Sequence, residues 1–268
     1  MDRKRLRTIL HKRYAYYDYD KMRRAWEVDA RLNPGTREFI RSQFKPEHRV
    51  LDIGCGNGMM LLESSGLFRE GVGTDEYAPH LKLANENRKR MGITNVRFVR
   101  AKGLPFARET FDFVFSERGP LAGCSPVIQN ALRVLKPGGM IFAETPGALS
   151  WQEFESVFFP ADKAKAYQHM DSLDEQKVVF ERNGVDIRVL LSKVRKVRFA
   201  DAYAWLEYHC GIWVYMGRVL PRDPADIARA WEKLKDRDGT VASTEEIVWI
   251  GGVKQESPPE YWEYKHFR

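Results

Sequence analysis

The stretch Val50 to Gly58 reads VLDIGCGNG, and its succession of residue types decides the fold. An apolar run ends in an acid, Asp52, and passes at once into three glycines at alternate positions, Gly54, Gly56 and Gly58, with Cys55 between the first two. Glycine lets the backbone turn tightly and lets a ligand approach with no side chain in the way. The pattern predicts a strand that delivers an acid and a glycine turn to a helix from about Asn57 to Ser65, stopped by Gly66. That is the layout of a nucleoside-cofactor site. The spacing is GxGxG, whereas the dinucleotide fingerprint is GxGxxG and places an anion at its helix start. An acid beside the turn suits a ligand that carries positive charge.

Outward from this stretch the chain alternates strand and helix, as expected of an α/β fold with a parallel sheet covered on both faces. Strands are predicted at Gly71 to Asp75, Val96 to Val99, Phe111 to Ser116 and Met140 to Glu144, with helices at Pro79 to Arg90 and Ser125 to Leu135. The second helix is stopped by Lys136, Pro137, Gly138 and Gly139. Beyond Pro146 short helices are expected at Trp151 to Phe159 and Ala161 to Met170, and a better one at Leu173 to Arg182. Val185 to Phe199 is strand-rich, Asp201 to Met216 an aromatic helix, Pro224 to Lys235 a clear helix, and Glu246 to Val253 a last strand. Asp75 closes the second strand about twenty residues beyond the glycine turn, where nucleoside-binding folds place an acid that accepts both ribose hydroxyls. Glu76 is adjacent and able to share that role.

Asp52, Gly54, Gly56 and Gly58 match, position by position, the (D/E)xGxGxG motif of the class I S-adenosylmethionine (SAM) dependent methyltransferases, which the chain resembles over about residues 45 to 147. LPF at Leu104 to Phe106 and LKPGG at Leu135 to Gly139 resemble two further family segments. The resemblance implies a three-layer Rossmann-like fold, a seven-stranded, mostly parallel sheet with the last strand antiparallel. Residues 1–44 would form an N-terminal helical lid or substrate segment, and 45–268 the SAM-binding domain with insertions at about 148–172 and 200–243. It implies SAM as methyl donor, S-adenosylhomocysteine (SAH) as product, and no metal. Cofactor contacts would come from Asp52, Gly54, Cys55, Gly56, Gly58, Asp75, Glu76, Ser116 and Tyr19. The adenine-side acid of the family is missing: Arg100 stands in its place and Lys102 where an acid is also frequent. Base contact would then rest on the backbone of Lys102 and Gly103 and on packing by Leu104.

Methyl transfer to a hydroxyl benefits from a base, for which Glu117, His209 and Tyr17 are the chosen candidates, with His80 and His169 as further histidines. Tyr14, Tyr16, Tyr17 and Tyr19 precede the fold in a segment that acts as a lid in many small-molecule methyltransferases, and aromatic faces attract a sulfonium. Phe199 to Trp213 resembles the acceptor-lining segment of the type 11 branch, with Trp205, Tyr208, His209 and Trp213 able to grip a planar acceptor. The same aromatics suit plain helix packing, and Glu117 paired with Arg118 or another basic side chain is an ordinary surface ion pair.

Composition narrows the alternatives. At 268 residues and 43% hydrophobic the chain can bury one large core or a core plus a cap. Cys55, Cys124 and Cys210 are too few and too scattered for a disulfide framework or a zinc site. With no apolar run of membrane-spanning length, a cytoplasmic protein is expected, a monomer or homodimer acting on a small-molecule acceptor. The net charge of +7 keeps an RNA or DNA base methyltransferase as the alternative. Its phosphate stripe would be Arg3, Lys4, Arg5, Arg7, Lys12 and Arg13 plus Lys193, Arg195, Lys196 and Arg198. SERGP replaces the (N/D)PP(Y/F) motif such enzymes use on a flipped base. A non-catalytic SAM-binding protein is the third reading.

Overall fold

Strand β1 (Arg49–Ile53) is the predicted first strand, and β2 (Glu70–Asp75), β3 (Val96–Arg100) and β4 (Phe111–Glu117) follow it close to their predicted bounds. The computed structural model describes residues 2–11, 35–121, 125–158, 172–215 and 223–256. The remaining strands are β5 (Leu135–Pro146), β6 (Val185–Phe199) and β7 (Val241–Lys254). They form one sheet in the order β3-β2-β1-β4-β5-β7-β6. The pairs β3 with β2, β2 with β1, β1 with β4 and β4 with β5 are all parallel. β7 is antiparallel: the N–H of Gln255, just past its end, donates to the carbonyl of Gly184, just before β6 begins. The expected mostly parallel sheet with an antiparallel last strand is therefore what the chain builds.

Nine helices are described: α1 (Arg3–His11), α2 (Gly35–Ser42), α3 (Met59–Glu63), α4 (Ala78–Arg90), α5 (Ser125–Val134), α6 (Gln152–Phe158), α7 (Leu173–Arg182), α8 (Ala202–Tyr215) and α9 (Pro224–Leu234). The predicted helix over 161–170 lies outside the described residues. α3 is shorter than the sequence predicts, because Gly58 is held left-handed at φ 75° and cannot be its first turn. β5 is longer, since LKPGG is not outside it. Phe111 pairs with Leu135 and Phe113 with Met140, so the four residues 136–139 bulge out of the ladder, with Gly138 at φ 71°.

The chain divides into two compact units, Met1–Thr36 with Pro146–Met170 and Lys193–Ile247, and Arg37–Thr145 with Asp171–Ser192 and Val248–Arg268. The second, the sheet unit, has a core on each face of its sheet, as a parallel sheet buried on both sides requires. Val50, Phe113, Phe115 and Phe142 pack with Ile40 and Phe44 and with Met60 and Leu61 of α3. The alternate residues Leu51, Val114 and Ile141 pack with Ile128 and Leu132 of α5 and Phe180 of α7. α7 opens with a capping box between Ser172 and Glu175. The first unit, the aromatic unit, has its own core of Leu6, Ile9, Trp151, Phe154, Trp205, Leu206, Ile227 and Trp231.

Candidate functional site

The strand order reverses between β1 and β4, and at such a switch point the loops at the carboxyl ends diverge and leave a crevice. VLDIGCGNG ends β1 there. The N–H groups of Gly54 and Cys55 both donate to the carbonyl of Thr74, at 2.8 and 2.9 Å, so the turn stays fastened to β2. Gly54, Gly56 and Gly58 have φ values of 80°, 52° and 75°. Two of them also have no room for a side chain. A Cβ on Gly54 would lie 2.9 Å from Pro120 Cδ, and one on Gly58 would lie 2.2 Å from Phe98 Cζ.

Asp75, at the end of β2, holds this turn. Its Oδ2 accepts the Gly56 N–H at 3.1 Å and its Oδ1 the Tyr77 N–H at 2.8 Å. His80 Nδ1 lies 3.2 Å from Oδ2. Glu76 beside it is exposed, and its carbonyl accepts from Arg100 Nε at 3.1 Å. The basic residue found where the family has an acid thus braces the loop after β2. Lys102 and Gly103 are exposed and Leu104 is buried, its carbonyl fixed by Arg133 at 2.6 Å. Cys55 is buried, which pushes its thiol pKa well up.

On the β4 side the side chains divide by role. Ser116 has no exposed surface, and its hydroxyl donates to the carbonyl of Ile53 at 2.7 Å. It therefore ties β4 to β1, and any part it takes toward a ligand is through the backbone. Glu117 keeps 24% of its side chain exposed and accepts from Arg37 Nε at 3.3 Å. Of the expected partners, Arg118 or another basic side chain, it is thus another one, Arg37, that pairs with Glu117; Arg118 turns to Glu144 at 3.1 Å and has a positive φ of 57°. Trp249 Nε1 donates to the other oxygen of Glu144 at 3.1 Å. Burial raises the pKa of Glu117, Arg37 opposes the rise, and Glu144 adds to it. Asp52 is driven well up, first by burial and then by the charges of Glu117 and Asp75. Asp52, Asp75 and Glu117 therefore share one electrostatic neighbourhood around the turn.

Sequence reasoning missed Arg37, Glu144 and Trp249. Arg37 lies eighty positions from Glu117, and no local pattern announces that pairing. The Gly119-Pro120 pair beside Gly54 was visible as a turn signal after β4.

His209 belongs to the aromatic unit and has no exposed surface. Its Nε2 lies 2.8 Å from Ser243 Oγ, and its ring stacks on Phe154 at 4.2 Å and 18°. Burial lowers its pKa to about 3. These are the surroundings of a neutral, packed histidine, in contrast to the base role expected for it. Trp205 is equally buried, and Tyr208 borders the same core. Tyr17 and Tyr19, with Tyr14, Tyr16, His169 and the side chain of Trp213, lie outside the described residues.

A family model described as a methyltransferase domain matches residues 44–188. An O-methyltransferase of ubiquinone biosynthesis from Rhizobium johnstonii is 33% identical over 100 residues, 36% of this chain and 40% of the relative. The chain thus spans well under half the length of the curated relatives it matches. The YcgJ protein of Bacillus subtilis superposes with a TM-score of 0.61 at 18% identity, covering 84% of this chain and 100% of that one. A SAM-dependent methyltransferase of Geobacter sulfurreducens in complex with SAH gives 0.52 at 19% identity, over 83% and 92%. At these identities the two structures speak for the fold. With the family model covering more than half its length, the chain belongs to the methyltransferase domain family of the class I SAM-dependent superfamily.

Proposed function

We propose that the chain binds SAM at the β1 and β2 carboxyl ends and transfers its methyl group to a small-molecule acceptor. The observation that carries this reading is the cradle itself: three left-handed glycines, two of them with no space for a Cβ, clamped to an acid that ends the next strand. These residues fit a nucleoside bearing a cation. Asp75 offers a ribose acceptor, the glycine turn lets the ligand lie against backbone, and Asp52, Asp75 and Glu117 gather three carboxyl groups around the turn, where a cation is favoured over an anion. When bound, SAM supplies a methyl group already activated by its sulfonium, so alignment and exclusion of water are the protein's main tasks.

Glu117 is the group best placed to receive a proton. It ends β4 beside the turn, part of it meets solvent, and Arg37 holds its Oε1. An acceptor hydroxyl would pass its proton to Glu117, whose raised pKa makes it a stronger base than an ordinary carboxylate. A hydroxyl acceptor agrees with the printed name of the Rhizobium relative. We assign residues 1–44 and the insertions at about 148–172 and 200–243 to the acceptor side of the enzyme, with Tyr17 and Tyr19 as lid residues. We also assign the protein to the cytoplasm; among the described residues no helix is long and apolar enough to cross a membrane.

The nucleic-acid alternative is weakened by the pairing of its basic stripe. Arg195 is bonded to Glu245, and Arg198 to Asp236 and Asp238. Titration calorimetry with SAH, followed by SAH release from SAM in the presence of hydroxylated small molecules or RNA, tests the reading. Binding with turnover on a small hydroxylated acceptor is expected. Steeply salt-dependent RNA retention with turnover on RNA would replace the acceptor class, and absence of SAH binding would remove the cofactor assignment.

A further inference from the structure

The Asp75 carboxylate is already engaged by three donors. Oδ2 receives the Gly56 N–H and faces His80 Nδ1, while among the described residues Oδ1 receives the Tyr77 N–H alone. A carboxylate only accepts, so the ring nitrogen of His80 that faces it carries the proton. His80 is 5% exposed, and its ring meets that of Tyr77 edge-on, with centroids 5.0 Å apart and planes at 87°. Packing therefore holds the imidazole where it is.

Each oxygen of an ionised carboxylate has roughly two lone-pair directions. On Oδ2 both are taken, one by Gly56 and one by His80. Oδ1 keeps one open among the described residues. An acid in this position with both oxygens open would grip both hydroxyls of a ribose. Here the second grip is filled from within the protein.

We propose that His80 reserves Oδ2, so that Asp75 takes the cofactor ribose through a single hydroxyl at Oδ1. His80 is then a specificity-determining residue: it decides that one ribose hydroxyl is read by the acid and the other is not. The proposal rests on the SAM reading above.

The test is titration calorimetry of the full chain with SAH and with its 2′-deoxy and 3′-deoxy analogues. One analogue should bind within about twofold of SAH and the other about tenfold or more weaker, the loss expected for one hydrogen bond to a charged acceptor. In His80→Phe, which removes the donor and keeps an aromatic ring beside Tyr77, Oδ2 becomes open and both deoxy analogues should lose by similar factors. If the wild-type chain penalises both analogues alike, whether strongly or negligibly, the proposal is overturned. The wild-type series decides this even if His80→Phe fails to fold. Absence of SAH binding to the wild-type chain would overturn the cofactor reading and this proposal with it, an outcome distinct from equal penalties.

Discussion

The sheet unit and the aromatic unit each bury a histidine, and they treat it in opposite ways. His80 faces the carboxylate of Asp75 at the end of a strand, among backbone N–H groups that already hold that acid. His209 faces one hydroxyl and is otherwise enclosed by rings, those of Phe154, Trp205 and Tyr208. In the first setting fixed dipoles and hydrogen-bond partners stand in for the water that burial removes. In the second, burial wins and the ring stays neutral. Functional chemistry is expected where carboxyl groups and backbone N–H groups converge, at the carboxyl ends of β1, β2 and β4.

The largest effect should come from removing the acid that this contrast depends on. Asp75→Ala deletes the ribose acceptor and frees the Gly56 N–H, and calorimetry should show SAH affinity reduced by about a hundredfold or more, the ribose hydrogen bond to a charged group being worth up to about 3 kcal/mol and the loosened glycine turn adding to the loss. Unchanged affinity would dissolve the site. Gly58→Ala comes next. Its Cβ meets Phe98 at 2.2 Å in a left-handed backbone, so urea denaturation should show about 2 to 3 kcal/mol lost. A loss of a few tenths would mean that Phe98 yields easily.

Glu117→Gln sharpens the comparison from the catalytic side. It keeps size and a partner for Arg37 but removes the base, so turnover should fall by about tenfold to a hundredfold while SAH affinity changes little. The wild-type rate should also fall as pH drops through the Glu117 pKa, which burial places above the ordinary glutamate value, because only the ionised form takes a proton. A rate unaffected by the substitution would make Glu117 a purely structural partner of Arg37.

The glycine turn and Asp75 were legible because both are local: a run of apolar residues, three glycines and an acid about twenty residues on. The bounds of β2, β3 and β4 follow from the same short-range periodicities, and the mostly parallel sheet with its antiparallel last strand is what the family resemblance implies. What stayed hidden depends on contacts between distant parts of the chain. The sequence offers Glu117 a pairing with Arg118 or another basic side chain without saying which: Arg118 lies just past β4 in a left-handed turn at φ 57° and pairs with Glu144, and Arg37 takes Glu117. Ser116 was read as a cofactor contact because it ends β4, but parallel pairing with β1 puts the carbonyl of Ile53 within its reach. The start of β7 at Val241, five residues before its predicted start, carries alternating polar residues such as Ser243 and Glu245 that find partners only after folding. The His80 contact to Asp75 spans only five residues, and an acid just before a helix with a histidine in its first turn was a readable signal.

The smallest effect, and the one that isolates the aromatic unit, is on stability against pH. In the unfolded chain His209 titrates near the ordinary value of 6.5, whereas in the folded chain burial holds it to about 3. Below pH 6.5 the unfolded chain therefore takes up a proton that the folded chain refuses, and stability falls with acid until both forms are protonated. One such group approaches a slope of about 1.4 kcal/mol per pH unit, having half that at pH 6.5, and costs about 1.6 kcal/mol between pH 6.5 and 5. His209→Gln keeps a polar group within reach of Ser243 Oγ and cannot titrate. Unfolding free energies from urea titrations across that interval should drop in the wild-type chain by about 1.6 kcal/mol more than in the variant, since other titrating groups are common to both. Parallel curves would mean that the folded chain protonates His209 at its ordinary pKa, placing it in contact with water and restoring it as a base candidate alongside Glu117.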